Sequence, residues 1–194
     1  HLRKAIKLEP KWANAYYSLG LVLYHQGKKD EAVTAMEKAA ALDPRDAMTL
    51  EQLGVMLGRK DPKKAVACLK KAVKLKPGDA KIRHKLGIAH RRAGQFKEAE
   101  AALLLAANSD LTASLAFDLG VMFRHKKEPR KAVLYYKKAI KLEPKLTDAH
   151  WDLAHMYELL GEKDKARQAY QLFLTLKARG KQADTARARL ESLK

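Results

Sequence analysis

Apolar, small and polar positions recur along this chain with a long period. The dipeptide Leu-Gly stands at Leu19-Gly20, Leu53-Gly54, Leu86-Gly87 and Leu119-Gly120, with Leu153-Ala154 as a degenerate fifth copy. The second residues of these pairs are 34, 33, 33 and 34 apart. A fixed period in this range marks an array of one small supersecondary unit, not a single globular core. Numbering Leu-Gly as positions 7 and 8 starts the units at Ala13, Ala47, Ala80, Ala113 and Thr147. Position 20 is then Ala32, Ala65, Ala99, Ala132 and Ala166, with one residue deleted in the second unit. Position 24 is large throughout: Met36, Leu69, Leu103, Tyr136 and Tyr170. Position 27 is Ala39, Ala72, Ala106 and Ala139, with Phe173 as the exception.

These positions predict two helices per unit. Small residues at 8, 20 and 27 let two helices approach closely, and the large residue at 24 fills the facing groove. Pro44, Pro77 and Pro144 stand at position 32, where proline ends the second helix. Gly27, Gly94 and Gly161 lie between the two helices and suit a left-handed helix stop. Pro62 and Pro129 fall in the first turn of a second helix, where a missing N–H costs nothing. The second unit has lost a residue at 58–62, and the third is short at 108–112 and lacks the proline. Composition agrees with an all-α chain: alanine, leucine and lysine dominate, and no sustained alternation or Asn-Gly hairpin signal competes.

This pattern resembles the tetratricopeptide repeat family, whose 34-residue unit is a helix–turn–helix. The match covers nearly the whole chain. The aromatic residue usual at position 4 survives only as Tyr16, with Leu50, Arg83, Ala116 and His150 elsewhere. The resemblance implies a right-handed α-solenoid of five units over residues 13–46, 47–79, 80–112, 113–146 and 147–180. Residues 1–12 match the second helix of a truncated upstream unit, with Ala5 at position 27 and Pro10 at position 32, so the chain is expected to belong to a longer array. Residues 181–194 are expected to form a capping helix with an apolar stripe of Ala183, Ala186, Leu190 and Leu193.

Arrays of this family coil so that first helices line a concave groove, with side chains near positions 2, 5, 6, 9, 12 and 13 facing into it. Carried onto this chain, position 5 supplies Tyr17, His84, Phe117 and Trp151, beside Glu51. Position 9 supplies Leu21, Val55, Ile88, Val121 and His155, and positions 12 and 13 supply Tyr24, Arg59, Arg91, Arg92 and Arg124. Lys81 and Lys85 add positions 2 and 6 of the third unit. The resemblance therefore implies a non-catalytic scaffold or adaptor that binds a peptide or partner-protein segment in the groove. An apolar floor with an arginine rim suits a segment carrying apolar residues and carboxylates. The other reading of the same residues makes position 9 half-buried packing and the arginines a solvated face.

Some family members bind the acidic C-terminal tail of heat-shock chaperones through a two-carboxylate clamp. The corresponding positions here are Tyr17, Leu21, Gln52, Lys81 and Lys85, so only the basic third-unit pair of that clamp is present. The densest arginine rim, Arg91, Arg92 and Arg124, belongs to the third and fourth units and is the first docking point to expect.

Charge opens an alternative. The chain carries 40 Lys and Arg against 22 Asp and Glu, a net charge of +18. Lysine pairs such as Lys63-Lys64, Lys70-Lys71 and Lys137-Lys138 recur on second helices. Such a face solubilises an array, yet a field of this size also attracts polyanions. Binding of nucleic acid or an anionic membrane surface through the basic outer face is the alternative function. No recognised reading module interleaves the charge, which disfavours dedicated nucleic-acid binding. Homo-oligomerisation is a further partner reading.

Catalytic and metal chemistry find little support. His150 and His155 are five apart and His84 and His90 six apart, which does not match an i,i+4 zinc pair. Cys68 stands among apolar residues of a second helix, as a packing residue would. No catalytic residue, metal or cofactor is expected. The longest wholly apolar run, Ala101 to Ala107, is far short of a membrane span. The cytoplasm is the default compartment, with membrane association through another part of a longer parent as the alternative.

Overall fold

A computed structural model describes residues 1–193. Among these residues there are twelve α-helices and no strand. They are α1 (Leu2–Leu8), α2 (Ala13–His25), α3 (Lys29–Leu42), α4 (Ala47–Leu57), α5 (Pro62–Leu75), α6 (Ala80–Arg92), α7 (Phe96–Ser109), α8 (Ala113–His125), α9 (Pro129–Leu142), α10 (Thr147–Leu159), α11 (Lys163–Leu176) and α12 (Lys181–Ser192). The chain is thus all-α, a series of helix–turn–helix hairpins. No helix among the described residues is long and apolar enough to cross a membrane. Lys194, the last residue of the expected capping helix, lies outside the described residues.

The helices fall into two compact units, His1–Leu105 and Ala106 onward. In the first, Met36, Leu53, Leu57, Leu69, Ile82 and Leu86 belong to one continuous buried cluster. In the second, Leu119, Met122, Tyr136, Tyr170 and Phe173 are fully buried.

Within each hairpin the two helices meet at positions 8 and 24. A β-carbon placed on Gly54 would lie 2.6 Å from the Leu69 side chain, and one on Gly87 equally close to Leu103. On Gly120 it would lie 2.5 Å from the Tyr136 ring, and on Gly20 2.9 Å from Met36. The first helix is therefore bare where the second inserts its largest side chain. In the fifth hairpin Ala154 takes the bare position, and both Ala154 and Tyr170 have no exposed surface. Ala32, Ala65, Ala99, Ala132 and Ala166 at position 20 are likewise fully buried.

The turns follow from local chemistry. Gly27 ends α2 at φ +77°, and in the fourth hairpin Lys127 occupies the same place at φ +59°. Lys127 carries a β-carbon in a conformation that disfavours one. The short second unit turns from α4 to α5 through Asp61, whose carboxylate accepts from the Lys64 N–H, with Pro62 opening the helix. The third unit, without its proline, starts α8 on Thr112, whose hydroxyl accepts from the Leu115 N–H. Asp46 caps α4 by accepting from the Met48 and Thr49 N–H groups at 3.0 and 3.2 Å.

Two outcomes follow from this packing. Gly120→Val forces an added branch into the Tyr136 ring and should cost about 1–3 kcal/mol, a typical overpacking penalty. The check is the midpoint of chemical denaturation, with far-UV dichroism confirming that helix is retained; an unchanged midpoint would contradict the interlock. Asp46→Ala should cost about 1 kcal/mol, the usual worth of an N-cap. Partial burial raises the Asp46 carboxyl, but the Thr49 hydroxyl and the two N–H donors outweigh it and hold the group below its ordinary value. A depressed carboxyl stabilises the fold above its unfolded pKa and loses that contribution as pH falls through the folded pKa. The difference between wild type and Asp46→Ala should therefore be full at neutral pH and shrink below about pH 4, the ordinary Asp value.

Candidate partner-binding face

The candidate residues lie along the first helices, and the two compact units use them differently. In the first unit, Tyr24 lies in the last turn of α2, Val55 stands near the end of α4 and Arg59 follows it, and Ile88 and Arg92 lie on α6. Tyr24 and Val55 are 39% and 40% exposed. Two hollows open beside them. One, of about 570 Å³, is bounded by Tyr24, Val55, Met56, Arg59 and Arg92, with Lys29, Asp30, Val33 and Lys60 on its far wall. The other, of about 240 Å³, is bounded by Val55, Lys85, Ile88 and Arg92 over a floor of Gly54, Leu69 and Ala89. Val55 and Arg92 belong to both.

Gly58 shapes this meeting point. A β-carbon there would lie 2.7 Å from the Arg92 guanidinium, so the absence of a side chain lets Arg92 reach across the end of α4. Last-turn carbonyls make that helix end weakly negative, which favours a cation against it. Arg59 and Arg92 make no ion pair among the described residues.

Other cations of the face are answered from within. Lys85 pairs with Glu51 of α4 across one repeat, with side-chain exposures of 36% and 18%. Tyr17 shares this neighbourhood: partial burial, then the Asp46 and Glu51 charges, push its hydroxyl above the usual phenol value. Leu21 and Tyr17 pack on the first unit's buried cluster. Lys81 is exposed and His84 half-buried on the same helix, and Arg91 is half-buried and engaged by a neighbour.

In the second unit the candidates are drawn inward. Val121 is buried, and Phe117 packs against Tyr136 with ring centroids 5.6 Å apart. Arg124 donates to Asp152 at 2.7 Å. Burial pushes the Asp152 carboxyl above its ordinary value, opposed first by Arg124 and then by Tyr136. Trp151 and His155 stack edge to face at 4.4 Å, and the Trp151 ring also meets Tyr170 and Phe173 at 5.8 and 5.1 Å. His155 Nδ1 donates to the Trp151 carbonyl at 3.0 Å, while His150 Nε2 donates to the Pro144 carbonyl at 2.9 Å. These two histidines are committed to separate backbone acceptors. Cys68 is half-buried, and that burial pushes its thiol up.

Sequence reasoning placed Glu51 on the face but missed that acids of neighbouring repeats pair with its cations. Glu51 stands 34 residues before Lys85, so a search for opposite charges one period apart finds that pair, while Asp152, 28 after Arg124, lies outside it. It also missed Lys29, Asp30 and Lys60, where Lys60 pairs with Asp30 across two hairpins.

Comparison with known proteins bears on the whole array. Tetratricopeptide repeat family models match residues 13–46, 56–118 and 128–183. Anaphase-promoting complex subunit 3 of Schizosaccharomyces pombe is 36% identical over 64 residues, covering 32% of this chain and 10% of that protein. The human protein O-mannosyl-transferase TMTC3 is 30% identical over 170 residues, covering 84% of this chain and 19% of that protein. The chain thus spans about a tenth and a fifth of the length of these two relatives. Among solved structures, MamA superposes with a TM-score of 0.74 at 27% identity, over 82% of this chain and 94% of that one. With the Leu-Gly period, the glycine-to-large-residue interlock and three repeat models across its length, the chain belongs to the tetratricopeptide repeat family.

Proposed function

We propose that this chain is a non-catalytic protein-binding scaffold whose first-helix face holds a partner segment bearing apolar residues and carboxylates. One observation carries the reading: two adjoining hollows share Val55 and Arg92, with Tyr24 and Ile88 beside them and the guanidinium groups of Arg59 and Arg92 outside any ion pair among the described residues. Apolar side chains of an extended segment fill such hollows, and each forked guanidinium donates two N–H bonds to the oxygens of one carboxylate. The pairs Lys85–Glu51 and Arg124–Asp152 make Lys85 and Arg124 poorer candidates, because an incoming carboxylate must displace one already in place. The preferred docking point therefore moves from the third and fourth units to the second and third. A relative that is by name a subunit of a multiprotein complex is consistent with this role.

The test is a fluorescence-anisotropy titration with a labelled peptide that alternates Leu or Phe with Asp and Glu. Arg59→Glu with Arg92→Glu should weaken binding at least tenfold, about 1.4 kcal/mol. Lys70→Glu with Lys74→Glu, the same charge change on α5, should weaken it less than threefold. Equal losses in the two variants, or displacement of the peptide by a single-stranded oligonucleotide at physiological salt, would overturn the reading in favour of a diffuse polyanion binder.

A further inference from the structure

A hollow of about 470 Å³ lies in the second unit between α9, α10 and α11. It is separate from the face described above. His150, Leu153 and Tyr157 of α10 bound it, and at about 100° per residue they lie on the opposite side of that helix from Trp151 and His155. Its floor is Ile140, Leu153 and Ala169, and Leu172 stands at the edge with 52% of its surface exposed. Its volume falls within the range of ligand pockets, roughly 300–1,000 Å³.

The rim is cationic. Lys137 and Lys141 stand one turn apart on α9, and neither makes an ion pair among the described residues. Lys165 faces them from α11, held at 2.7 Å by Glu162 and lying 5.7 Å from the centre of the Tyr157 ring. The hollow therefore offers an apolar seat with two adjacent free ammonium groups along one edge.

We infer that this hollow is a second docking site, on the side of α10 opposite Trp151 and His155, for an acidic segment of a partner protein. A large apolar side chain of that segment sits on Ile140, Leu153 and Leu172, while flanking carboxylates meet Lys137 and Lys141. Charge complementarity selects this occupant. A second copy would bring a net +18 to a lysine-rimmed site and be repelled. Nucleic acid gains affinity from stacking on open rings, but Tyr157 is only 8% exposed. A flat lipid surface reaches the lysines but not the recessed Leu153 and Ala169, both buried.

Photo-cross-linking tests the site directly and independently of the first-helix face. A p-benzoylphenylalanine placed at exposed Gln168 on the rim is irradiated with a labelled peptide carrying one Leu-Leu pair flanked by Asp and Glu. A saturable cross-link is expected, with its midpoint raised at least fivefold by Lys137→Glu with Lys141→Glu. Arg59→Glu with Arg92→Glu should move it less than twofold, whatever becomes of the other site. A cross-link insensitive to the Lys137 and Lys141 reversals overturns the inference, as does equal sensitivity to Lys70→Glu with Lys74→Glu. So does labelling that vesicles of one part phosphatidylserine to three parts phosphatidylcholine abolish, which would assign the lysines to a membrane.

Discussion

The hairpins of this chain rest on one contact, the insertion of a large second-helix side chain where the first helix has no side chain, or in the fifth hairpin only the methyl of Ala154. At Gly54, Gly87 and Gly120 the space a β-carbon would need is already taken by Leu69, Leu103 and Tyr136. Close packing of this kind leaves little room for adjustment, because protein interiors are as dense as organic crystals. Fixing position 8 of a first helix against the second sets the rotation of that helix about its axis, and with it which positions are left at the surface. The face proposed to bind a partner is thus tied to the interlock through the orientation of each first helix.

That consequence explains why one array yields two kinds of face. In the first unit the exposed positions hold Val55, Ile88, Arg59 and Arg92 around open hollows. In the second, Phe173 replaces the usual alanine of position 27 and meets Trp151 at 5.1 Å, so aromatic packing draws in side chains that would otherwise face solvent. A repeat protein tolerates this because each unit answers mainly to its neighbours.

The fold was legible because its determinants are local and periodic. Gly120 opposite Tyr136, Pro62 at a helix start and Gly27 at a helix stop each encode a steric demand that survives alignment of one chain with itself. The face was legible only in part. Its positions follow from the period, but the state of each side chain depends on a residue one unit away. Arg124 looks like a free guanidinium until Asp152 is placed beside it, and Val121 looks like a groove residue until its neighbours bury it. Lys127, in a left-handed turn where other units use glycine, shows the converse: tertiary context holding a residue that local preference would reject.

A double-mutant cycle on Gly87 and Leu103 measures the central contact. Gly87→Ala overfills the site and Leu103→Ala empties it, so each single change should destabilise, while the pair restores a β-carbon to the space the leucine vacated. The interlock predicts a double variant less destabilised than the sum of the two singles, by about 1 kcal/mol or more in equilibrium unfolding. Additivity within about 0.5 kcal/mol, the behaviour of independent sites, would contradict it.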